Sequence, residues 1–254
     1  MTNQTFPSHG FSKALRLARY NWPLYLAIMV LVAFGAGLAL SSVSFWLRII
    51  GVVGGAIALW FGVASFTAFH LMFDRSPLTR WVWLREEFEV PPARCIQINA
   101  GLEETNFNVQ EFFPHSQGHV LDVFDPTSMT EPALNRARSL PQSIANTISA
   151  NVDSLPIESQ SADAIFVVLA AHEIRSREKR EQLFAELRRV LAPGGKLILV
   201  EHLRNWPAFF AFGPGAMHFL PRGEWLQLGS LHDLVVTKER WFTPFVCAMI
   251  FEGH

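Results

Sequence analysis

Arg177 to Glu201 reads REKREQLFAELRRVLAPGGKLILVE, and its pattern decides the fold. Leu183, Phe184, Leu187, Val190 and Leu191 share one face, with Arg, Glu and Lys opposite, so the first part is an amphipathic helix. Pro193-Gly194-Gly195 stops it and turns the chain. Lys196 to Glu201 is then a short apolar strand, the kind that is buried on both faces. A helix that turns into such a strand belongs to a parallel α/β arrangement.

The same alternation continues on both sides. Upstream, Ala164 to Leu169 (AIFVVL) is a fully apolar strand and Thr147 to Ala150 a weaker one. His119 to Phe124 (HVLDVF) and Arg94 to Asn99 (RCIQIN) read as two more. Helices are expected over Phe107 to Phe113 and from Asp125-Pro126-Thr127 to about Leu140. Downstream, Leu234 to Lys238 and Phe245 to Phe251 are separated by too few residues for a parallel crossover, so they form an antiparallel hairpin. The expected fold is α/β: a Rossmann-like, mostly parallel sheet with an antiparallel edge strand. Helices lie on both faces, and a ligand site sits at the carboxyl ends of the central strands.

The N-terminal third differs. No Asp, Glu, Lys or Arg occurs from Tyr20 to Leu47, nor from Ile49 to Phe73. Each run exceeds the ~18 residues a membrane-spanning helix needs. The break Ser41-Ser42-Val43-Ser44 is short, so a transmembrane α-helical hairpin is expected, with the lipid bilayer as partner. The division is an interfacial arm over 1–22, the hairpin over 23–73, a juxtamembrane linker over 74–92 and the α/β domain over 93–254. Lys13, Arg16 and Arg19 precede the hairpin, Arg75, Arg80 and Arg85 follow it, and only Arg48 lies near its loop. Positive charge stays inside, so both ends are expected in the cytoplasm of a bacterial-type inner membrane. Gly51 and Gly55 make a G-x-x-x-G suited to packing within the hairpin, and secondarily to homo-oligomers. Trp81 and Trp83 suit either the headgroup layer or the domain core.

The formal net charge is -1, so no basic field argues for nucleic acid. Cys95 and Cys247 lie far apart in expected strands, with no zinc or redox spacing, and are read as reduced core residues.

Several strand ends carry a recognisable order of residues. Ala150-Asn151-Val152-Asp153-Ser154-Leu155-Pro156, with Ser161-Ala162-Asp163-Ala164-Ile165 after it, resembles the adenine loop and fourth strand of the class I S-adenosylmethionine-dependent methyltransferases. That family includes the quinone-biosynthesis C-methyltransferases. Glu186 to Leu197 (ELRRVLAPGGKL) is similar to the family's helix, turn and fifth strand, and is the most specific match. Val123 to Met129 (VFDPTSM) resembles its second strand and acidic end, and Arg222-Gly223-Glu224-Trp225-Leu226 its late helix. The resemblance covers residues 93 to 252. It implies S-adenosyl-L-methionine as cofactor, held by Asn99, Gly101, Glu103, Asp125, Pro126, Asn151, Val152, Asp153 and Leu169. Asp125 is assigned the ribose hydroxyls, because a carboxylate accepts two O–H donors.

The first turn departs from the family pattern. It reads Gln97-Ile98-Asn99-Ala100-Gly101-Leu102-Glu103-Glu104-Thr105, with Gly101 alone of three expected glycines and Gln97 in place of an acid. Two readings stay open: altered cofactor binding with Glu103 or Glu104 taking part, or a non-catalytic pseudo-methyltransferase that serves as a tethered binding module.

On the acceptor side, Ala170-Ala171-His172-Glu173 follows the fourth strand and Glu201-His202 ends the fifth. His172 is the expected base, with Glu173 orienting it or replacing it, and His202 second. His172, Glu173, His202 and His218 lack tight ligand spacing, so no metal is expected. Trp206 to Arg222 (WPAFFAFGPGAMHFLPR) is an aromatic cover. With the hairpin, it suggests a lipophilic small-molecule acceptor.

Overall fold

The computed structural model describes residues 11–101, 105–140 and 147–253. The chain divides into two compact units, one of residues 1–76 with 210–213, the other of residues 77–209 with 214–254.

The first unit is helical. It holds α1 (Ser12–Tyr20), α2 (Trp22–Leu40) and α3 (Phe45–Phe69), and α3 runs on as a π-helical turn, His70–Arg75. Pro23 sits in the first turn of α2, where its missing N–H breaks no helical bond. The Asp74 carboxylate accepts from the Lys13 and Ala14 amides at 3.1 and 3.2 Å and so caps the start of α1.

α2 and α3 approach backbone to backbone. A Cβ on Gly35 would overlap the Gly51 carbonyl, and one on Gly51 would meet Gly35 O at 2.8 Å. Gly51 and the neighbouring Gly55 are thus used inside the hairpin. Around this seam the helices expose large apolar side chains, among them Met29, Leu31, Phe34, Trp46, Ile50 and Leu59. At 19 and 25 residues, both are long and apolar enough to cross a membrane.

The second unit is the expected α/β fold. In chain order it has β1 (Arg94–Asn99), α4 (Val109–Phe112), β2 (Gln117–Asp122), α5 (Pro132–Arg138), β3 (Thr147–Ser149) and β4 (Ala162–Val168). Then come α6 (Arg177–Val190), β5 (Leu191–His202), α7 (Trp206–Phe212, its last three residues counted with the first unit), α8 (Arg222–Ser230), β6 (Leu234–Thr243) and β7 (Val246–Gly253). The sheet order is β3-β2-β1-β4-β5-β7-β6. β1 to β5 pair in parallel, and β7 runs antiparallel between β5 and β6, so the C-terminal hairpin forms the antiparallel edge.

α6 follows its pattern: Leu183, Phe184, Leu187 and Val190 are buried, and the Ser176 side chain caps the helix by accepting from Lys179 N. Gly194, at φ +74, supplies the left-handed turn. The pairing register with β4 shifts across this turn and is regular from Ala164↔Lys196 onward.

Two helices are shorter than their sequence suggests. Asp125 to Met129 forms a turn, and α5 waits for Pro132, which suits a first helical turn. Phe107 leaves its helix to join an aromatic cluster with Trp81 and Phe166, at 4.7 and 5.2 Å between centroids. Of the two readings for the tryptophans, the core prevails. Trp81 and Trp83 are buried, and Trp83 Nε1 donates to Leu78 O at 3.2 Å. Both cysteines are buried and free, and burial pushes their thiols up to about 11 for Cys95 and about 12 for Cys247.

Candidate active site

The carboxyl ends of β1 and β2 lie level, with Asn99 opposite Asp122. Asn99 is buried, and its side-chain oxygen accepts the Gly101 amide at 2.6 Å. Its Nδ2 donates to Asn106 Oδ1, as does Gln97 Nε2 at 2.8 Å. Three side-chain amides thus hold the first turn where the family would have glycine backbone. Gly101 keeps the left-handed conformation, φ +100, that glycine alone adopts readily.

Asp122 ends β2. Its carboxylate accepts from the Arg138 guanidinium at 2.8 and 3.1 Å, and Arg138 also donates to Ala100 O at 3.2 Å. The guanidinium lies 4.0 Å from the Phe124 ring centroid and against the open face of Gly101. Asp125 is occupied differently. Lys179 Nζ lies 2.6 Å from it, and it accepts from the Thr127 and Ser128 hydroxyls and the Thr127 amide. Lys179 first, then the hydroxyls, hold this carboxyl far below its ordinary range. Pro126 is exposed beside it.

After β3, Asn151 to Ser154 forms a tight turn in which Val152 is buried and Asn151 and Asp153 are exposed. α6 braces this turn. Glu186 accepts Leu155 N at 2.8 Å, and Arg189 donates to Leu155 O and Ile157 O. Arg189 holds Glu186 below its usual value. At the end of β4, Leu169 takes φ +48, a left-handed position that costs a non-glycine residue about 1–3 kcal/mol. It is held there by Leu169 N donating to Val200 O. Glu103 lies outside the described residues.

Past that kink the side chains turn polar and buried. Glu201 is fully buried at the end of β5. It accepts Ala171 N at 2.8 Å through one oxygen and meets His172 Nδ1 at 2.6 Å through the other. His172 Nε2 lies 3.5 Å from Glu173, and His218 Nε2 lies 3.6 Å from the other oxygen of Glu173. His218 Nδ1 faces Glu131 at 3.3 Å and is also touched by Arg175. His202 stacks on Phe219 and meets the His172 ring edge-on at 5.5 Å. Burial first, then the neighbouring His172 and His218, push His202 well below its ordinary value, so it is neutral. Burial pushes the Glu173 carboxyl up, but the facing His218 and His172 outweigh it, and the group stays below its usual value.

Residues 115–199 match the family model described as a methyltransferase domain. The chain carries a methyltransferase domain. The match begins after the first turn, the part whose glycines are replaced. No curated protein matches the sequence. Among solved structures, the chain is similar to the PH0226 protein of Pyrococcus horikoshii OT3, at 13% identity and a TM-score of 0.53, covering 70% of this chain and 89% of that one. It is also similar to a chain in the Haloferax volcanii complex between the Trm112 methyltransferase activator and a methyltransferase, at 13% identity and a TM-score of 0.51, covering 77% and 98%. These likenesses establish the fold.

The cofactor that the methyltransferase domain implies is S-adenosylmethionine, and the residues fit it with one side chain moved. Asp122 ends β2 with a carboxylate that could accept two hydroxyls, Gly101 has no side chain beneath the Arg138 guanidinium, and Val152 and Leu155 are buried apolar residues of the turn after β3. Arg138 covers both Gly101 and Asp122, but it is the last residue of a short helix and its side chain is about a quarter exposed, so it can swing aside. The structure brings the sequence candidates His172, Glu173 and His202 close together. β2 stops at Asp122, whose side chain accepts Phe124 N, although HVLDVF reads as a strand through Phe124; two acids, Asp122 and Asp125, therefore stand near this strand end. Glu201 was legible as the one charge ending an apolar strand. Glu131 and Arg138 carry no signal in the sequence, since only the fold brings them to the site.

Proposed function

We propose that this methyltransferase domain belongs to a membrane-anchored enzyme that transfers a methyl group from S-adenosylmethionine to a lipophilic or membrane-associated acceptor. The observation that carries the proposal is the row of strand ends: Asp122 and Gly101 on the donor side, His172 held by Glu201 on the acceptor side. The bound cofactor supplies an already activated methyl group, so the chain's own work is alignment. Asp122 holds the ribose hydroxyls, and Val152 and Leu155 back the adenine ring. Asn151, Asp153 and Leu169 line the same edge.

Glu201 accepts a hydrogen bond from His172 Nδ1–H, which fixes the ring and leaves Nε2 to take a proton from the acceptor. Glu173 offers a second carboxylate beside it, and His202 packs the ring from the side. The apolar hairpin supports a membrane anchor with both ends on the cytoplasmic side, where a bilayer-dissolved acceptor is reached directly. The aromatic stretch around Trp206 and Phe210, both exposed, fits the same acceptor class.

A second reading, a non-catalytic tethered module, is favoured by Arg138 on Asp122 and by Asn99 holding the Gly101 amide. One experiment separates the two. The full chain in detergent is given methyl-labelled S-adenosylmethionine and a total membrane-lipid extract, and products are read by mass spectrometry. Label in a lipid species supports the enzyme. Cofactor binding without label in any lipid counts against the lipophilic acceptor, and no cofactor binding by the folded chain supports the second reading.

A further inference from the structure

Sequence spacing gives no reason to expect a metal, but the fold brings three donors together that the chain keeps far apart. His172 and Glu173 follow β4, and His218 comes from the stretch between α7 and α8. One ligand atom from each lies within 4.8 Å of the other two. Adjacent ligand atoms at about 2.1 Å from one divalent cation stand about 3.0–3.4 Å apart, so a side-chain movement of about 1–2 Å closes the set. His172 and Glu173 are only 4% exposed.

The surroundings match what a bound cation needs. His172 Nδ1 is held by Glu201 at 2.6 Å, which turns Nε2 toward Glu173. His218 Nδ1 faces Glu131 at 3.3 Å, which turns its Nε2 toward the same carboxylate. A carboxylate behind each imidazole is the usual support of a metal-binding histidine. Glu173 Oε2 is buried with no hydrogen-bond partner among the described residues. A buried carboxylate oxygen left so is costly unless a cation meets it. Three carboxylates, Glu131, Glu173 and Glu201, converge here with Arg175, which pairs with Glu131 at 3.2 Å, and with His218, whose imidazole, against the effect of burial, Glu131 and Glu173 hold above its ordinary value.

We propose that His172, Glu173 and His218 bind one divalent first-row transition cation, with Glu201 and Glu131 orienting the two imidazoles. Two nitrogens and one carboxylate suit zinc, cobalt, manganese or iron better than calcium or magnesium. Three protein ligands leave coordination positions open for an oxygen of water or of the acceptor. With the cation seated, His172 Nε2 is a ligand, which replaces its role as a base, and an acceptor oxygen bound at an open position would lose its proton more readily.

The test uses the purified full chain in detergent, stripped with chelator and titrated with Co²⁺. A visible d–d absorption band that saturates at about one cobalt per chain is expected, and Zn²⁺ should displace it. Glu173→Gln and His218→Asn should each weaken cobalt binding at least about a hundredfold, and Glu201→Gln about tenfold through its hold on His172. His119→Ala, an exposed histidine elsewhere on the unit, should leave binding unchanged. Circular dichroism reports whether each variant is folded. No band from the folded wild-type chain, or binding that survives in folded Glu173→Gln and His218→Asn, would overturn the proposal. Cofactor binding is measured separately, so its failure with cobalt binding intact would remove the methyl-transfer reading and leave this one standing.

Discussion

The two ends of the row of strands are built in opposite ways. At the ends of β1 and β2, the polar groups are neutral buried amides, Gln97 and Asn99, and one partly exposed carboxylate, Asp122, held by a side chain that can move. At the ends of β4 and β5, they are buried, charged and locked to one another. Asp122 and Arg138 are each about a quarter exposed, whereas Glu201 is completely buried and touches both the Ala171 backbone and the His172 ring. Solvent screens the first pair, so its partners exchange at small cost. Nothing screens the second, so its geometry is fixed before any ligand arrives. One side of the row is thus held by exchangeable partners and the other by a rigid, buried cluster of ionisable groups.

Removing the buried carboxylate tests that contrast hardest. Glu201→Ala leaves the Ala171 amide and the His172 ring without their partner, and should destabilise the second unit by about 3 kcal/mol in chemical denaturation followed by tryptophan fluorescence. A change below about 1 kcal/mol would erase the distinction between the two sides. On the donor side, Asp122→Ala should weaken S-adenosylmethionine binding about thirtyfold by calorimetry, with little loss of stability, since two hydrogen bonds to a charged group disappear. If Asp125→Ala does so and Asp122→Ala does not, the ribose acid lies where the sequence first suggests.

Arg138→Ala should act in the other direction and more weakly. Freeing Asp122 and the face of Gly101 should tighten cofactor binding about threefold, in line with a partly exposed, solvent-screened ion pair. Weaker binding would mean that the guanidinium itself holds the cofactor. The smallest effect concerns the turn that backs the adenine. Arg189 keeps Glu186 ionised below its ordinary value, so this contribution to stability is present above about pH 4.5 and is lost as pH falls through the lowered value. The protection factor of the Leu155 amide, its exchange rate set against the intrinsic rate at each pH, should therefore fall at low pH in the wild-type chain, and should be low with little pH dependence in Glu186→Ala.

Local pattern made the architecture legible in the sequence. The period of the apolar residues in α6, the stop at Pro193-Gly194-Gly195, the apolar runs of β1, β4 and β5 and the short link between β6 and β7 all report burial directly, because an element hides its apolar face wherever it packs. The two uncharged N-terminal runs report their helices for the same reason. His172, Glu173 and His202 were legible as candidates because they follow apolar strands at their carboxyl ends, where such folds place ligands.

Pairing across the chain was decided only by the tertiary structure. Periodicity says which face of an element is buried, and it does not say which distant side chain meets it. Whether Trp81 and Trp83 faced lipid or core, whether Asp122 or Asp125 ended the strand, and that Arg138 lay over Gly101 all depended on contacts many residues apart. So did the meeting of Glu131, Glu173 and His218, which are remote in sequence and become neighbours when the segments before α5, after β4 and before α8 converge. A charge costs little on an extended chain in water. Its role is set when burial removes the solvent and leaves only the partners the fold supplies.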